Sequence, residues 1–125
     1  MTGCWMASPN KAIREVLNEL RSLGEISNAA VVSRSGMLID GDAPDNIHME
    51  TFGAMMAIML GAAETATSEA QDTLKHIDIE LSRTHLVLMG AGQRILLACF
   101  ISDKSARDRV LPFIDEAATR LKSLV

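Results

Sequence analysis

Tyrosine is absent, tryptophan occurs once and phenylalanine three times, so the chain offers few rings on which bases could stack. Basic residues are also in the minority: 12 Lys and Arg against 16 Asp and Glu leave a net charge of −4. A nucleic-acid surface needs a basic stripe with stacking side chains, and neither is present. The expected partner is therefore a protein or a small molecule. Cysteine is scarce too. Cys4 lies among the first residues and Cys99 inside the apolar run ILLACFIS, so no disulfide framework is implied and Cys99 reads as a small buried hydrophobe. No apolar run of signal-peptide length opens the chain, and the uncharged stretch 51–63 is shorter than the about 20 residues that span a bilayer. A soluble, cytoplasmic protein without membrane contact is expected.

What the chain does have is apolar content, 48 % of 125 residues, enough for one domain with its own core. Residues 1–7 read as a flexible tail and residues 8–125 as the domain. Ser8 and Pro9 form a helix-start signal; Ile13, Val16, Leu17 and Leu20 follow at helical spacing, with Leu23 beyond them and Gly24 as the stop. Two short β-like runs, 29–33 and 37–39, flank Arg34-Ser35-Gly36 and predict a hairpin. The turn-rich segment GDAPDN leads into a long helical stretch. Beyond it the period falls to 2: Ile77, Ile79 and Leu81 alternate with Asp78, Glu80 and Ser82, the pattern of a strand near a sheet edge. Two further strands, 85–89 and 95–101, are joined by Gly90-Ala91-Gly92-Gln93. ILLACFI is apolar on both faces and belongs in mid-sheet. A last helix places Val110, Ile114, Ala117, Ala118 and Leu121 on one stripe, with Pro112 either kinking it near Asp108 or marking where two helical pieces meet.

The long helix, within ETFGAMMAIMLGAAETATSEA, is apolar on nearly every side. Phe52, Met56, Met59, Ala63, Ala66, Ala70 and Leu74 form one seam suited to the sheet. Met55, Ile58, Ala62 and Thr65 form a second beside it, which left in water would expose a sizeable apolar patch. Gly53, Ala57 and Gly61 recur every fourth residue, a spacing that lets another backbone come close. Either a terminal helix of the same domain covers the second seam or another helix docks there.

Catalytic signatures are missing. His48, His76, His85 and Cys99 stand singly without metal-ligand spacing, and each histidine reads as a surface or strand-end residue. SRSG and GAGQR lack the longer glycine fingerprint with lysine that cradles phosphate. Ser33, Ser35 and Ser82 have no nucleophile elbow, and Glu64, Glu69, Asp115 and Glu116 read as solvated carboxylates. No cofactor, no metal and no catalysis by the chain alone are expected.

Through LNELRSLG, AAVVSRSGMLIDGD, GAAETATSEA and HLVLMGAGQRILLACFISD, in that order across residues 11–124, the chain resembles the Roadblock (dynein light-chain) family of small domains. The resemblance implies an α/β (α+β) sandwich, α-β-β-α-β-β-β-α, with a five-stranded antiparallel sheet and helices on both faces. It implies a homodimer built through the central helix and the neighbouring third strand, which makes a second copy the cover for the second seam. The dimer interface is then expected at Met55, Ile58, Met59, Ala62 and Thr65. Pro112 departs from the family's uninterrupted last helix, and Asp78 and Glu80 put charge on the strand expected to pair, a common way of blocking pairing. The first six residues match nothing, and Trp5 is read as part of the tail.

The resemblance favours a non-enzymatic homodimeric regulator or scaffold that binds a small Ras-like GTPase, of the prokaryotic type. Arg34 and Arg83, in expected turns, are candidate arginine fingers, though a regulator that orders the GTPase's own switch loops needs none. The alternative is a structural adaptor of a larger complex, like the dynein light chains. A third possibility is a small-ligand sensor built on the methionine-rich helix, for which core filling is the simpler account.

Overall fold

Proline at the first position of a helix costs no backbone bond, and in the computed structural model, which describes residues 9–125, helix α1 (Pro9–Arg21) starts there. Ser8 as a cap, Cys4, Trp5 and the tail lie outside the described residues. Ile13, Val16, Leu17 and Leu20 are all buried, and the chain leaves the helix through Gly24 at φ +87°.

Strands β1 (Ile26–Ser33) and β2 (Leu38–Gly41) form the expected hairpin, closed by Ser33 N–H donating to the Met37 carbonyl at 2.8 Å, with Gly36 at φ +98°. Both strands differ from their sequence bounds. Strand β1 starts earlier because Ile26 and Asn28 pair with Ile101 and Phe100, a partner no local pattern reveals. Strand β2 continues through charged Asp40, whose carboxylate takes two hydrogen bonds from Arg14 on α1, at 3.0 and 3.1 Å.

Helix α2 (Met49–Thr67) runs into a 3₁₀ turn (Ser68–Ala70); β3 (Ile77–Glu80), β4 (His85–Ala91) and β5 (Ile95–Ile101) follow. Gly90 and Ala91, expected in the loop, belong to β4 because they pair with Leu96 and Ile95. A second 3₁₀ turn (Lys104–Ala106) precedes α3 (Arg107–Leu124). Pro112 neither breaks α3 nor joins two pieces: the helix is continuous around an exposed proline, and the carbonyl it leaves without a donor is that of Asp108, in the first turn.

The sheet is antiparallel throughout, in the order β2-β1-β5-β4-β3. Every residue of central β5 is buried, as its two-faced apolar sequence requires. Successive side chains take opposite faces, so Leu97, Cys99 and Ile101 pack with Val31, Val87 and the apolar stripes of α1 and α3. Leu96, Ala98 and Phe100 pack with Val32, Leu88 and α2. Complete burial pushes the Cys99 thiol up to about 12, which leaves it an inert core side chain. The architecture is the expected α/β sandwich with helices on both faces, two against one.

Candidate protein interface

Helix α2 meets the sheet through Phe52, Gly53, Met56, Ala57 and Leu60. This stripe differs from the expected seam. Leu60 takes the inward place, Met59 and Ala63 are half-buried, and Ala66 and Ala70 are exposed. At 100° per residue the buried set 52, 53, 56, 57 and 60 centres about 65° round the helix from the expected seam, so Met59 and Ala63 fall at the margin of the inward face. The small residues also serve a different contact. A Cβ on Gly53 would come 2.8 Å from the Gly36 carbonyl oxygen, and one on Gly36 would come 2.9 Å from Ala54 Cα. Gly53 therefore lets the β1–β2 turn sit against α2 inside the same chain, and only Gly61 borders open space.

On the outward side Met55 is 49 % and Ile58 61 % exposed; Ala62 and Thr65 are exposed and Met59 is half-buried. The terminal helices cannot cover these side chains, because α1 and α3 share the other face of the sheet. Beside α2, edge strand β3 presents half-buried Ile77 and Ile79 on the same face, and exposed Leu81 follows. One apolar surface thus runs across a helix and an adjoining sheet edge.

The charges on β3 leave that surface free. Asp78 lies on the α3 side, where it accepts from His85 Nε2 at 2.8 Å and from Arg107 at the start of α3, with His76 Nε2 at 3.4 Å. His85, expected as a surface or strand-end residue, opens β4 and is 9 % exposed, and His76 is half-buried. Partial burial would raise the Asp78 carboxyl. The hydrogen bond and charge of Arg107, with His85, outweigh it and hold the group below the usual carboxylate range. Such a depressed group adds stability above its unfolded value of about 3.9 and loses it as pH falls through the native one. Arg107→Met should accordingly cost about 1–2 kcal/mol at pH 7, and much less once Asp78 is protonated. Urea denaturation of both proteins at pH 7 and below pH 3 checks this.

Arg34 is not a free finger. Its Nη1 and Nη2 donate to Glu64 at 2.8 and 3.2 Å, and Nη2 also donates to the Gly92 carbonyl at 2.8 Å. The guanidinium lies over Gly90, where a Cβ would come 2.7 Å from Nη2. Glu64, expected to be simply solvated, is thus half of a strut joining α2 to the β1–β2 and β4–β5 turns. Arg83 is exposed in the β3–β4 connection, while Glu69, Asp115 and Glu116 are exposed as expected. Ser33 and Ser35 share a 2.8 Å hydrogen bond within the hairpin turn, and exposed His48 precedes α2, 3.1 Å from the Thr51 hydroxyl. Among the described residues, no group of three or more His, Cys, Asp or Glu is placed to hold a metal, and no helix is long and apolar enough to cross a membrane.

Sequence reasoning found the outer face of α2 and missed the Asp78–His85–Arg107 cluster and the Arg34–Glu64 strut. Asp78 and His85 were within reach, since a hairpin after the edge strand brings them onto neighbouring strands. Arg107 and Glu64 come from distant helices whose docking leaves no local signal.

The architecture is thus a five-stranded antiparallel sandwich with one partly uncovered apolar helix beside a sheet edge. The chain belongs to the Roadblock/LC7 domain family, whose model matches residues 12–100. An uncharacterized protein of Methanocaldococcus jannaschii is 33 % identical over 86 residues, covering 68 % of this chain and 73 % of that protein. The structure of Myxococcus xanthus MglB is similar with a TM-score of 0.82 at 19 % identity, covering 93 % of this chain and 92 % of that one. The gliding protein MglB from Thermus thermophilus is similar with a TM-score of 0.79 at 21 % identity, covering 93 % and 90 %. At these identities the structural likeness establishes the fold.

Proposed function

We propose that this protein is a non-enzymatic homodimer that binds a small Ras-like GTPase in the cytoplasm and regulates it or holds it in place. The observation that carries the reading is the apolar surface shared by the outer face of α2 and the edge of β3. In a two-fold contact that surface meets itself, and Met55, Ile58, Met59, Ala62 and Thr65 of both copies lie at the centre. Because Asp78 is satisfied inside its own domain, β3 keeps a free backbone edge for antiparallel pairing with the second β3. Membership of the Roadblock/LC7 family supports a small GTPase as the partner. Arg34 is tied to Glu64 and Gly92 and is not free to act as a finger, and regulation in this reading works by ordering the GTPase's own switch segments.

Only differential affinity can regulate a switch. Titration calorimetry with a Ras-like GTPase from the same cell should give affinities at least about tenfold apart, or about 1.4 kcal/mol, for the GTP-analogue and GDP forms. Equal affinities would make the protein a passive tether. Absence of binding to any cellular GTPase would leave the structural adaptor as the better account.

A further inference from the structure

On the sheet face opposite α2, α1 and α3 leave a furrow of about 320 Å³ between them. Its floor is apolar, made by Val16, Leu20, Leu23, Ala117 and one side of Phe113. Phe113 is 49 % exposed, although its neighbour Ile114 is fully buried. The dimer does not account for this ring, because the surface built on α2 and the β3 edge lies across the sheet from it. Half-exposed aromatic rings lining a concavity mark a place where another apolar side chain can enter.

The rim carries a second signal. Arg120 Nη1 and Nη2 reach across the furrow to the Glu19 carboxylate at 2.7 and 3.3 Å. Glu116 and Glu15 flank the same guanidinium, and together with the Glu19 hydrogen bond they keep it more firmly protonated than an isolated arginine. Among the described residues, neither Glu15 nor Glu116 has a cation of its own: Arg14 is bound to Asp40 and Arg21 to Asp42, while Arg109 is bound to Glu25. Glu19 and Glu116 thus line the furrow around one guanidinium above an apolar floor, and Glu15 lies just beyond Arg120 in the adjoining cavity.

From this charge pattern and floor, we infer that the α1–α3 furrow is a second docking site, which takes a basic amphipathic segment of another protein with a bulky apolar residue beside Phe113 and Lys or Arg opposite Glu116 at the rim and Glu15 just beyond Arg120. A dimer built on α2 would present two such furrows, each on the sheet face away from α2, so it could engage two basic segments together. The inference does not depend on the GTPase reading, since the furrow is complete within one protomer.

The test uses the full chain, isotope-labelled for NMR, with a 14-residue amphipathic helical peptide of Leu, Ala and Lys, and with a control in which Glu replaces every Lys. The Lys peptide should shift the resonances of Phe113, Leu20 and Glu116 and bind at least about tenfold more tightly than the control at low salt, with the preference shrinking at 0.5 M salt. Phe113→Ala and Glu116→Lys, both at exposed positions, should each weaken the peptide at least about fivefold, while Glu69→Lys, at an exposed position after α2, leaves its affinity unchanged. The proposal is overturned if the peptide does not bind at millimolar concentration, if both peptides bind alike, or if the shifts fall on α2. It is also overturned if furrow resonances move on dilution without peptide, which would make a second copy the occupant. A change in Trp5 emission on Phe113→Ala without peptide would overturn it too, by placing residues 1–8 there.

Discussion

Ile58→Asp should turn the proposed dimer into monomers. Ile58 is 61 % exposed within one protomer, so the substitution costs the single domain little beyond helix propensity, about 0.5 kcal/mol. At a self-contact through α2 the same change buries two carboxylates close to the symmetry axis. An uncompensated buried charge costs about 3–5 kcal/mol, and two-fold symmetry applies the change twice. Dimer affinity should therefore fall by on the order of a thousandfold or more. Sedimentation equilibrium at micromolar concentration reads this directly, and Ala62→Glu should behave alike. A dimer of unchanged affinity in both variants would place the self-contact elsewhere. If the GTPase surface is composite, the same variants lose GTPase binding as well.

Gly41→Ala should be among the most damaging single methyl additions in the domain. Gly41 ends β2 at φ +114°, where a side chain is strained, and its added Cβ would lie 2.3 Å from the Ala29 carbonyl oxygen and 2.5 Å from Ala30 Cα. Both are backbone atoms of β1, locked on their other side by pairing with β5, so β1 cannot yield. Backbone strain of about 1–2 kcal/mol plus overpacking of about 1–3 kcal/mol gives an expected loss of about 2–5 kcal/mol. The urea midpoint should fall accordingly with little change in slope. Because β2 is an edge strand, the cheapest relief is to peel its end from β1, which would also loosen the Arg14–Asp40 and Arg21–Asp42 pairs joining it to α1. Stability within about 0.5 kcal/mol of the parent would show that this end of β2 is not held in place.

Much of the fold was legible because its signals are local. The two-residue alternation of Ile77 and Ile79, the two-faced apolar run of β5 and the glycine at the hairpin turn each reflect backbone geometry within a few residues. The register of β1 was not legible, since Ile26 and Asn28 are strand residues only because β5 lies beside them. The inward stripe of α2 was misread for a related reason. When nearly every position is apolar the hydrophobic period is flat, and the sheet's position selects Leu60 over Met59. Pro112 shows the reverse: a residue that argues locally against a helix is accepted where the only bond lost falls in the first turn.

By itself the sequence determined the order of elements, the single core and an apolar surplus on the central helix, because these follow from residue period and composition. Only the tertiary structure decided what that surplus faces. Placing α1 and α3 together on one side of the sheet leaves α2 alone on the other, so Met55 and Ile58 stay uncovered within the protomer. It also decided which charges were consumed. Asp78, on an edge strand, looks like a residue that blocks pairing until α3 docks and Arg107 takes it up. Arg34, in a turn, looks like a mobile finger until Glu64 and the Gly92 carbonyl hold it. The physical reason is that side-chain partners far apart in sequence are set by how helices dock on the sheet, and docking depends on the whole core at once rather than on any local window.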